Sequence, residues 1–401
     1  MAFPGRNPII ISGAGPVGCA FALCMARNNI PVLVLEREVD LPEDLRASTW
    51  HPPTLDMLDP LDVTERLIDM GLVVPNYQYR DRQTNDYADF DLGLLKDETN
   101  HPYRLQIEQF RFTRIVCEIL RTVPGAEVRF EHGVSMFHQD EDGVDVVVDT
   151  PNGQKIIRAS YLVACDGAAS AVRIGAGIEY EGFTYPEKFL VASTPYSLEN
   201  HFPGLAWVNY IADPKEWCVL LRCNNLWRVL LPTVPGDTDE KLLSDDHIQE
   251  RLHYVADIDG DYEIGHRTLY NVHQRVASTY RVGRVLLAGD AAHINNPLGG
   301  MGMNGGVQDA INLAQKMIMM AAGEANETIL DLYDRQRRII CRRFVQEQTI
   351  KNKEALENPD LGEQKKHLEH MKEIAGDPIA AKTFLMRTSM IDSVRESFKI
   401  N

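Results

Sequence analysis

Two kinds of hydrophobic pattern divide this chain into predicted strands and helices. Short apolar runs, and runs in which apolar and polar residues alternate, are typical of strands. They predict strands or groups of strands at 8–12, 31–36, 77–92, 128–149, 156–165, 205–232 and 284–288. Longer stretches with helical spacing predict helices at 19–28, 110–122 and 305–322, and the remainder is mainly helical, with a polar break near 358–362 and last helices that include 380–400. Polar residue pairs at 85–86, 142–143, 213–214 and 224–225 predict turns between the strands in the middle of the chain. We expect strands from this region to form a second, antiparallel layer.

The first predicted strand leads into a glycine-rich turn, Gly13-Ala-Gly15-Pro-Val-Gly18, which opens the first helix. In the dinucleotide-binding fingerprint the first glycine permits a tight turn, the second lets the backbone approach a pyrophosphate, and the third allows close helix–strand packing. Glu36 ends the second strand, where a carboxylate can accept hydrogen bonds from ribose hydroxyls. Arg37 is a further candidate for the adenosine end, with an exposed strand-end arginine as the alternative. A glycine turn without a ligand is the alternative for the whole motif.

A second glycine-rich loop follows the strand at 284–288. Gly289-Asp290 ends that strand, and the residues from Pro297 through Gly299 and Gly302 to Asn304 open a long helix. This order presents a carboxylate and several free backbone N–H groups to one ligand. Two such loops near opposite ends of the chain suggest one large, elongated, anionic cofactor, and FAD fits that description.

A third motif, Asp166-Gly167-Ala-Ala-Ser170-Ala-Val-Arg173, lies between the two loops. With all three motifs in this order over about 8–320, the chain resembles the FAD-dependent aromatic hydroxylases, the single-component flavoprotein monooxygenases that include p-hydroxybenzoate hydroxylase. The resemblance implies an α/β fold: a Rossmann-like FAD-binding domain, an inserted, mainly antiparallel β-sheet substrate domain, and C-terminal helices. The expected division is FAD binding at 1–75, 105–180 and 276–330, a substrate-domain hairpin at 76–104, a substrate sheet at 181–275 and a helical region at 331–401.

The resemblance also assigns cofactor contacts. Asp290 would accept a hydrogen bond from the ribityl chain, and the amides of Gly302, Met303 and Asn304, at a helix N-terminus, would face the flavin pyrimidine edge. Asp166 and Gly167 would lie near the pyrophosphate and ribose, in a region that the family also uses for the nicotinamide nucleotide. Alternatives are a helix cap for Asp290 and a strand-end turn for Asp166. Two further expected contacts are Arg46 and Gln109, with an exposed arginine and an exposed helix-start residue as alternatives.

The family's reaction is expected to follow from the cofactor. NADH or NADPH would reduce FAD, O2 would add to give a flavin hydroperoxide, and its terminal oxygen would attack a phenolic or heteroaromatic small molecule. The candidates for substrate-directed catalytic roles are His51, Tyr210 and Arg222, and ordinary packing or exposure is the alternative for each. Two other functions stay open: a related FAD oxygenase, such as an epoxidase or tailoring enzyme, on a non-aromatic substrate, and a non-catalytic FAD-binding protein.

The composition of the chain argues against several classes of binding partner. The chain has 401 residues, of which 44% are hydrophobic, and a formal net charge of −17, which argues against non-specific binding to nucleic acid or anionic membranes. Seven scattered cysteines argue against a disulfide framework, and no histidine has convincing metal-ligand spacing, so no metal is expected. No apolar run approaches the ~20 residues that span a bilayer. We therefore expect a soluble cytoplasmic enzyme, with a homodimer left open.

Overall fold

The computed structural model describes residues 7–43 and 47–401, which form four sheets and a series of helices. The strands are, in chain order, β1 Ile9–Ser12, β2 Val32–Leu35, β3 Thr49–Trp50, β4 Leu72–Val74, β5 Asn76–Asp81, β6 Tyr87–Asp91, β7 Arg104–Gln106, β8 Ala126–Arg129, β9 Gly133–Gln139, β10 Val144–Thr150, β11 Gly153–Ala159, β12 Leu162–Ala164, β13 Tyr180–Thr194, β14 Val208–Ala212, β15 Cys218–Cys223, β16 Leu226–Pro232, β17 His266–Ala277, β18 Arg281–Val282, β19 Val285–Leu287 and β20 His293–Ile294.

The helices are α1 Pro16–Arg27, α2 Pro52–Leu58, α3 Thr64–Met70, α4 Gln109–Leu120, α5 Ala171–Gly175, α6 Asp239–Leu242, α7 Asp245–Val255, α8 Met301–Ala321, α9 Ile329–Ile340, α10 Glu347–Glu357, α11 Leu361–Gly376, α12 Pro378–Thr388 and α13 Ile391–Ser397. A π-helical segment, Cys341–Gln346, joins α9 to α10. Within the described residues, no helix is both long and apolar enough to cross a membrane.

The six-stranded sheet has the order β18-β19-β12-β1-β2-β8. All neighbours from β19 to β8 are parallel, and only the edge strand β18 is antiparallel. Its central strands β1 and β2 are buried along their whole length and, apart from Ser12, are apolar, because helices cover a parallel sheet on its faces. The parallel arrangement places the carboxyl ends of β19, β12, β1 and β2 side by side along one edge.

The eight-stranded sheet has the order β20-β17-β13-β16-β15-β14-β5-β6. It is antiparallel except between β14 and β5, which run parallel. The hairpin predicted at 77–92 forms as β5–β6, and the strands predicted within 205–232 form as β14, β15 and β16. The edge strand β20 follows β19 in the chain, so the same segment leaves the six-stranded sheet and enters the eight-stranded one.

The strand predicted at 156–165 is in fact two strands in different sheets. β11 pairs antiparallel with β10 in a three-stranded sheet, whereas β12 pairs parallel with β1. Apolar residues continue through both strands, so the pattern did not reveal the change of sheet. Apart from this division, the α/β architecture and the inserted, mainly antiparallel sheet are confirmed.

A small sheet, β3-β7-β4, contributes buried residues to the clusters that pack against both large sheets. Thr49 pairs with Gln106 and Trp50 with Leu105. Because side chains alternate across a strand, one face of this sheet carries Trp50 and Leu105, both fully buried in the core around the six-stranded sheet. The opposite face of the small sheet adjoins the candidate active site described below.

The C-terminal helices cover the eight-stranded sheet. Leu356 of α10, Leu368 of α11 and Leu385 of α12 are buried in the same cluster as residues of β5, β6 and β14. The predicted last helical region at 380–400 consists of two helices, because Met390 has the left-handed conformation (φ 66°) and separates α12 from α13.

Candidate active site

The first glycine loop (13–18) has two glycines that no other residue could replace without movement. Gly13 has φ 103°, and a Cβ there would lie 2.5 Å from the Cys165 carbonyl oxygen. A Cβ on Gly18 would lie 2.1 Å from the Gly13 oxygen. In contrast, a Cβ on Gly15 would meet no atom within 4 Å, so this backbone faces open space at the start of α1. These positions match the predicted division between packing glycines and a ligand-facing glycine.

Glu36 lies beside this loop at the end of β2. Its Oε2 accepts a hydrogen bond of 2.8 Å from the Ala14 amide, and Oε1 accepts one of 3.1 Å from the Glu38 amide. These contacts hold the carboxylate at the mouth of the loop. Arg37 points away into solvent, with its side chain 75% exposed, and pairs with Glu38.

The third motif follows β12. Asp166 Oδ2 accepts a 3.3 Å hydrogen bond from the Val172 amide, whereas the buried Oδ1 has no partner among the described residues. Burial raises the pKa of this carboxyl group, and hydrogen bonds from Ser170 and Val172 oppose the shift. An acceptor that is buried without a donor is costly, so Oδ1 is suited to a ligand hydroxyl. Gly167, next in the chain, takes φ 82°.

Arg173 ties this motif to the next one. Its guanidinium donates to the carbonyl oxygens of Ala291 (3.2 Å) and Ala168 (2.8 Å) and lies 3.9 Å from the centre of the Tyr180 ring. The Tyr180 hydroxyl in turn donates to the Asp290 carbonyl oxygen at 2.9 Å. The loops after β12 and β19 are therefore fixed relative to each other.

The Gly289-Asp290 turn approaches the first loop from the other side. A Cβ on Gly289 would lie 2.7 Å from Val17 Cγ2, so only a glycine lets β19 end this close to α1. Asp290 itself is exposed. Gly15, Glu36, Asp166 and Asp290 thus follow four adjacent parallel strands and share one edge of the six-stranded sheet.

A buried network of charged side chains supports the Gly289-Asp290 turn from the side of α8. Asp309 of α8 accepts from the Gly289 amide (3.1 Å), from His293 Nε2 (2.7 Å) and from Arg337 Nε (2.6 Å). Arg337 also donates to the Gly305 oxygen at 3.1 Å. All three charged side chains are at most 3% exposed. His293 therefore acts as a structural partner of Asp309 beneath the cofactor edge.

The second glycine loop (297–304) reaches α8 through two glycines in the left-handed region, Gly299 (φ 108°) and Gly300 (φ 67°). Pro297 is exposed, Gly299 is buried, and Gly302 and Met303 are partly accessible. Gly300, the N-cap residue of α8, has no side chain to cap it, so the first-turn amides need acceptors from elsewhere. An electron-rich edge of a cofactor is one such acceptor.

Asn304 holds the loop against the small sheet. Its side chain accepts from the His51 amide (2.9 Å) and donates to the oxygens of Thr49 (2.8 Å) and Gly300 (2.7 Å). The oxygen and the nitrogen of the Asn304 side-chain amide therefore both have hydrogen-bond partners within the protein. Only the backbone of Asn304 remains for the predicted cofactor contact.

His51 is fully buried, and its Nε2 lies 2.8 Å from the Gly299 oxygen. Burial lowers the pKa of its imidazole to about 3, and the nearby Arg104 adds to the shift. The neutral ring therefore donates from Nε2 to Gly299, while Nδ1 has no partner within the described part of the chain. This environment makes His51 a poor proton acceptor near neutral pH and a good support for the loop.

Tyr210 and Arg222 lie on opposite faces of the eight-stranded sheet. Tyr210 pairs with Val219, and both are buried in the cluster that includes Leu298 of the second glycine loop. Arg222 pairs with Trp227, whose ring belongs to the cluster on the other face, and its guanidinium carbon lies 5.7 Å from the centre of that ring. The two side chains are therefore not brought together, although both were predicted to line one substrate site.

Several residues near Tyr210 were not predicted from the sequence. The Tyr79 ring stacks on it at 5.1 Å, Tyr77 meets it edge-on at 6.2 Å, and Arg104 donates to its hydroxyl at 3.4 Å. Farther along the same region, Arg228 donates to the Ser48 hydroxyl at 3.0 Å. The alternation within 77–92 placed Tyr77 and Tyr79 on one face of a strand, but nothing in the pattern around β7 indicated Arg104.

Two predicted cofactor contacts remain predictions. Arg46 lies outside the described residues. Gln109 is the first residue of α4; it is partly buried, and its amide donates to the Ala47 oxygen at 2.9 Å.

One group of potential metal ligands, Asp56, Asp59 and His101, occurs among the described residues. Its groups already have partners within the protein. His101 Nε2 lies 2.9 Å from Asp59, its Nδ1 lies 2.8 Å from the Tyr103 hydroxyl, and Asp56 accepts from the Asn100 amide at 3.0 Å. These hydrogen bonds are those of an ordinary contact between loops.

The loop residues fit FAD. An open backbone at Gly15, a carboxylate at Glu36, an unpaired acceptor on Asp166 and an exposed Asp290 lie along one sheet edge, and uncapped amides of α8 follow. These groups suit in turn a pyrophosphate, ribose and ribityl hydroxyls, and the electron-rich edge of a flavin.

We expect Asp290→Ala to weaken FAD binding by about 10–100-fold, because a hydrogen bond to a charged group contributes about 1.5–3 kcal/mol. The measurement is the FAD dissociation constant, from quenching of flavin fluorescence by the apoprotein. Asp69→Ala, which removes another exposed aspartate, in α3, is the control and should bind FAD normally. Equal FAD affinity in wild type and Asp290→Ala would contradict the assigned role.

Comparisons with known proteins agree with this geometry. A family model described as an FAD binding domain matches residues 6–348. Para-nitrophenol 4-monooxygenase of Pseudomonas sp. (strain WBC-3) is 31% identical over 396 residues, which cover 96% of each protein. The 6-hydroxy-3-succinoylpyridine 3-monooxygenase HspB of Pseudomonas putida (strain DSM 28022 / S16) is 30% identical, over 85% of this chain and 86% of HspB.

A solved structure extends the match to the whole fold. The crystal structure of p-nitrophenol 4-monooxygenase PnpA from Pseudomonas putida DLL-E4 superposes with a TM-score of 0.91 and 29% identity, over 97% of this chain and 98% of PnpA. The predicted cofactor and reaction class are confirmed. The chain therefore belongs to the FAD-dependent aromatic hydroxylases and is a flavoprotein monooxygenase with NADH or NADPH as electron donor.

Proposed function

We propose that this enzyme hydroxylates a small aromatic ring that already carries a hydroxyl group, either a phenol or a hydroxylated heteroaromatic compound. One observation carries the proposal: the second glycine loop meets an aromatic face of the eight-stranded sheet. Leu298 of that loop is buried in the same cluster as Tyr77 and Tyr210. A planar ring that enters beside these side chains would lie next to the loop that holds the cofactor.

The names of two relatives support this substrate class. One relative acts on p-nitrophenol and the other on 6-hydroxy-3-succinoylpyridine. Both compounds combine an aromatic ring with a ring hydroxyl. Since these relatives match most of the chain, including the eight-stranded sheet, a substrate of the same type is the simplest assignment.

When bound, FAD would supply the redox chemistry, taking two electrons from NADH or NADPH and activating O2. The chain would supply binding, orientation and exclusion of water. Asp166 and Asp290 would hold hydroxyl groups of the cofactor, and the first-turn amides of α8 would favour negative charge at its edge. His51 and Asn304 would keep the second glycine loop in place through their hydrogen bonds to Gly299 and Gly300.

The three residues first considered for catalysis receive different roles in this proposal. Tyr210 would contact the substrate ring, because its face of the sheet meets the loop. His51 would act as a positioning residue through Gly299. Arg222 would stay outside the substrate site, because its side chain is on the opposite face of the sheet.

A substrate screen tests the function. The FAD-loaded enzyme is mixed with NADH or NADPH and a panel of phenols and hydroxypyridines, and NAD(P)H consumption is followed. The expected result is faster oxidation of the donor with at least one such compound, together with a product that contains one oxygen atom from 18O2. Hydrogen peroxide as the sole oxygen product with every ring compound would contradict the proposal, and an epoxide from a non-aromatic compound would favour the related oxygenase.

Three further assignments complete the proposal: the division into domains, the cellular compartment and the oligomeric state. We assign cofactor binding to 1–75, 105–180 and 276–330, and substrate binding to 76–104 and 181–275, with 331–401 covering the sheet. We also propose that the enzyme works in the cytoplasm, where its free cysteines would stay reduced. The third assignment is a homodimer, and light scattering of the FAD-loaded protein would distinguish it from a monomer.

A further inference from the structure

Two adjoining cavities lie where α10 and α11 cover the eight-stranded sheet. The outer one has a volume of about 300 Å³ and opens to solvent between the end of α10 and the start of α11. The inner one has a volume of only about 20 Å³ and reaches Tyr79 of β5 and Tyr210 of β14. Ala355 of α10 and Gln364 and His367 of α11 line both cavities. These three residues therefore form a narrow neck between solvent and the aromatic face of the sheet.

The inner end of the neck meets a row of aromatic rings. The His367 ring meets the Tyr79 ring edge-on, with 6.3 Å between their centres, and the Tyr79 ring stacks on the Tyr210 ring at 5.1 Å. Tyr210 in turn shares a buried cluster with Leu298 of the second glycine loop. A ring that passes the neck therefore reaches Tyr79 first and then Tyr210, the residue proposed above to contact the substrate.

Gln364 brings a hydrogen-bond acceptor without a partner to the neck. The residue is 4% exposed, and its Nε2 donates to the Asn358 oxygen at 2.6 Å. Its buried Oε1 has no partner among the described residues, which is costly for a buried acceptor. In contrast, Gln348 of α10 is 9% exposed and has partners for both atoms, since Nε2 donates to Asn352 at 2.9 Å and Oε1 accepts from Arg387 at 3.1 Å. Gln364 Oε1 is thus suited to a molecule in the neck.

The neck itself is uncharged near neutral pH. Burial lowers the pKa of the His367 imidazole, and the neighbouring His370 adds to the shift, so His367 is neutral there. Charged side chains line only the outer cavity, where Lys366 donates to Glu363 at 2.7 Å. The neck therefore combines an aromatic wall with one free acceptor, which suits an uncharged ring that carries a hydroxyl group.

We propose that the aromatic substrate enters the enzyme between α10 and α11, and that Gln364 Oε1 accepts a hydrogen bond from its hydroxyl group on the way to Tyr210. This inference rests on the proposed function and adds the route of entry and a residue that selects hydroxylated rings. A cavity of about 20 Å³ is close to the size of one water molecule. The side chains of Gln364 and His367 therefore have to move aside when a ring passes.

Ala355→Phe tests the route. The new ring narrows the neck, and the outer cavity has room for it, so the protein should still fold. The probe is the phenol that most accelerates NAD(P)H oxidation in the substrate screen, with 4-nitrophenol as the first choice, and stopped-flow absorbance of the oxidised flavin follows its binding and release. We expect the association and dissociation rate constants both to fall about tenfold or more. The dissociation constant should stay the same, because an obstacle in the path slows entry and exit alike and leaves the bound state unchanged.

Gln364→Met tests the acceptor. Methionine has a similar length but no amide oxygen, so the un-ionised phenol should associate about two- to tenfold more slowly, as expected for the loss of one hydrogen bond. Gln348→Met is the matched control, because it removes a glutamine of similar burial whose amide atoms are both bonded within the protein. The control should associate with the phenol as fast as wild type does.

Ala375→Phe is the matched control for the route. Ala375 of α11 is also half-buried and packs against the cluster that contains Tyr210, but it lines neither cavity. This variant should keep both rate constants. If Ala355→Phe raises the dissociation constant without slowing release, position 355 belongs to the bound site, and the proposed route is wrong. If Gln364→Met associates as fast as wild type does, its Oε1 does not bind the entering hydroxyl group.

The outcomes also distinguish this inference from the proposed function. If phenols stimulate NAD(P)H oxidation but Ala355→Phe binds and releases them at wild-type rates, the substrate enters elsewhere and the function stands. If no phenol binds or stimulates oxidation in FAD-loaded enzyme, both proposals fall together. The flavin spectrum and the thermal unfolding of each variant show whether it is folded and loaded.

Discussion

Asp309→Ala is expected to lower the free energy of unfolding by about 3–5 kcal/mol, because removal of one partner from a buried ion pair leaves uncompensated charge. His293 and Arg337 would then face each other without the carboxylate, and the Gly289 amide would lose its acceptor. Since that amide begins the turn that presents Asp290, FAD retention should fall as well. Urea unfolding of the apoprotein and FAD content after gel filtration measure the two effects.

The pH dependence follows from the same network. Although burial opposes it, the cations His293 and Arg337 hold the pKa of Asp309 below its ordinary value, so its contribution is present above that value and is lost as pH falls through the lowered pKa. Although burial opposes it, the pKa of His293 is raised well above 6.5, with Asp309 among the groups that raise it. Its contribution is complete below 6.5 and is lost as pH rises through the raised pKa. Asp309→Ala should flatten both limbs of the stability profile.

The control for this prediction is Glu118→Ala. Glu118 pairs with Arg66 at 3.0 Å, but both side chains are about half exposed, and exposed pairs typically contribute less than about 1 kcal/mol. A loss of stability in Asp309→Ala no larger than in Glu118→Ala would show that the buried network does not support the fold.

Gly18→Ala should damage both folding and cofactor binding. The new Cβ would lie 2.1 Å from the Gly13 oxygen, so α1 would have to move away from the first glycine loop. Overpacking of this kind typically costs about 1–3 kcal/mol, and the displaced amides should weaken FAD binding by about tenfold or more, which is 1.4 kcal/mol. Thermal unfolding of the apoprotein and fluorescence titration with FAD measure the two quantities.

Gly15→Ala separates the two effects. Gly15 has an extended conformation (φ −68°, ψ 179°) and open space where a Cβ would be, so the apoprotein should keep its stability while FAD binding weakens. Gly376→Ala, at another glycine whose Cβ would meet nothing within 4 Å, should change neither quantity. If Gly15→Ala binds FAD as well as wild type does, the loop does not approach the cofactor as we infer.

The cofactor edge could be predicted from the sequence because each of its parts is local. A glycine turn, a strand-end carboxylate and a helix start are each encoded within a few residues, and parallel strands bring their carboxyl ends together without further information. The predicted positions of Gly15, Asp166 and Asp290 therefore needed no knowledge of distant contacts. The order of the motifs also sufficed to indicate the fold.

The substrate side could not be predicted in the same way because it depends on register. Tyr210 and Arg222 lie on opposite faces only because Tyr210 pairs with Val219, and a shift of one residue would reverse the result. Arg104 lies in a three-residue strand that is too short to give a pattern, and its neighbours Tyr77 and Tyr210 come from distant segments. Likewise, the division of 156–165 between two sheets follows from pairing partners that the apolar pattern does not specify.

The π-helical segment Cys341–Gln346 sets the rotational phase of everything that follows it. Downstream of it, Thr349 accepts from Gln274 at 2.9 Å, and Asn352 donates to the Leu298 oxygen at 3.1 Å. Deletion of one residue from this segment would turn α10 by about 100° and carry both side chains away from these partners. Chimeras that exchange C-terminal helices between related hydroxylases therefore have to conserve this helical phase, even when the exchanged residues never approach the flavin.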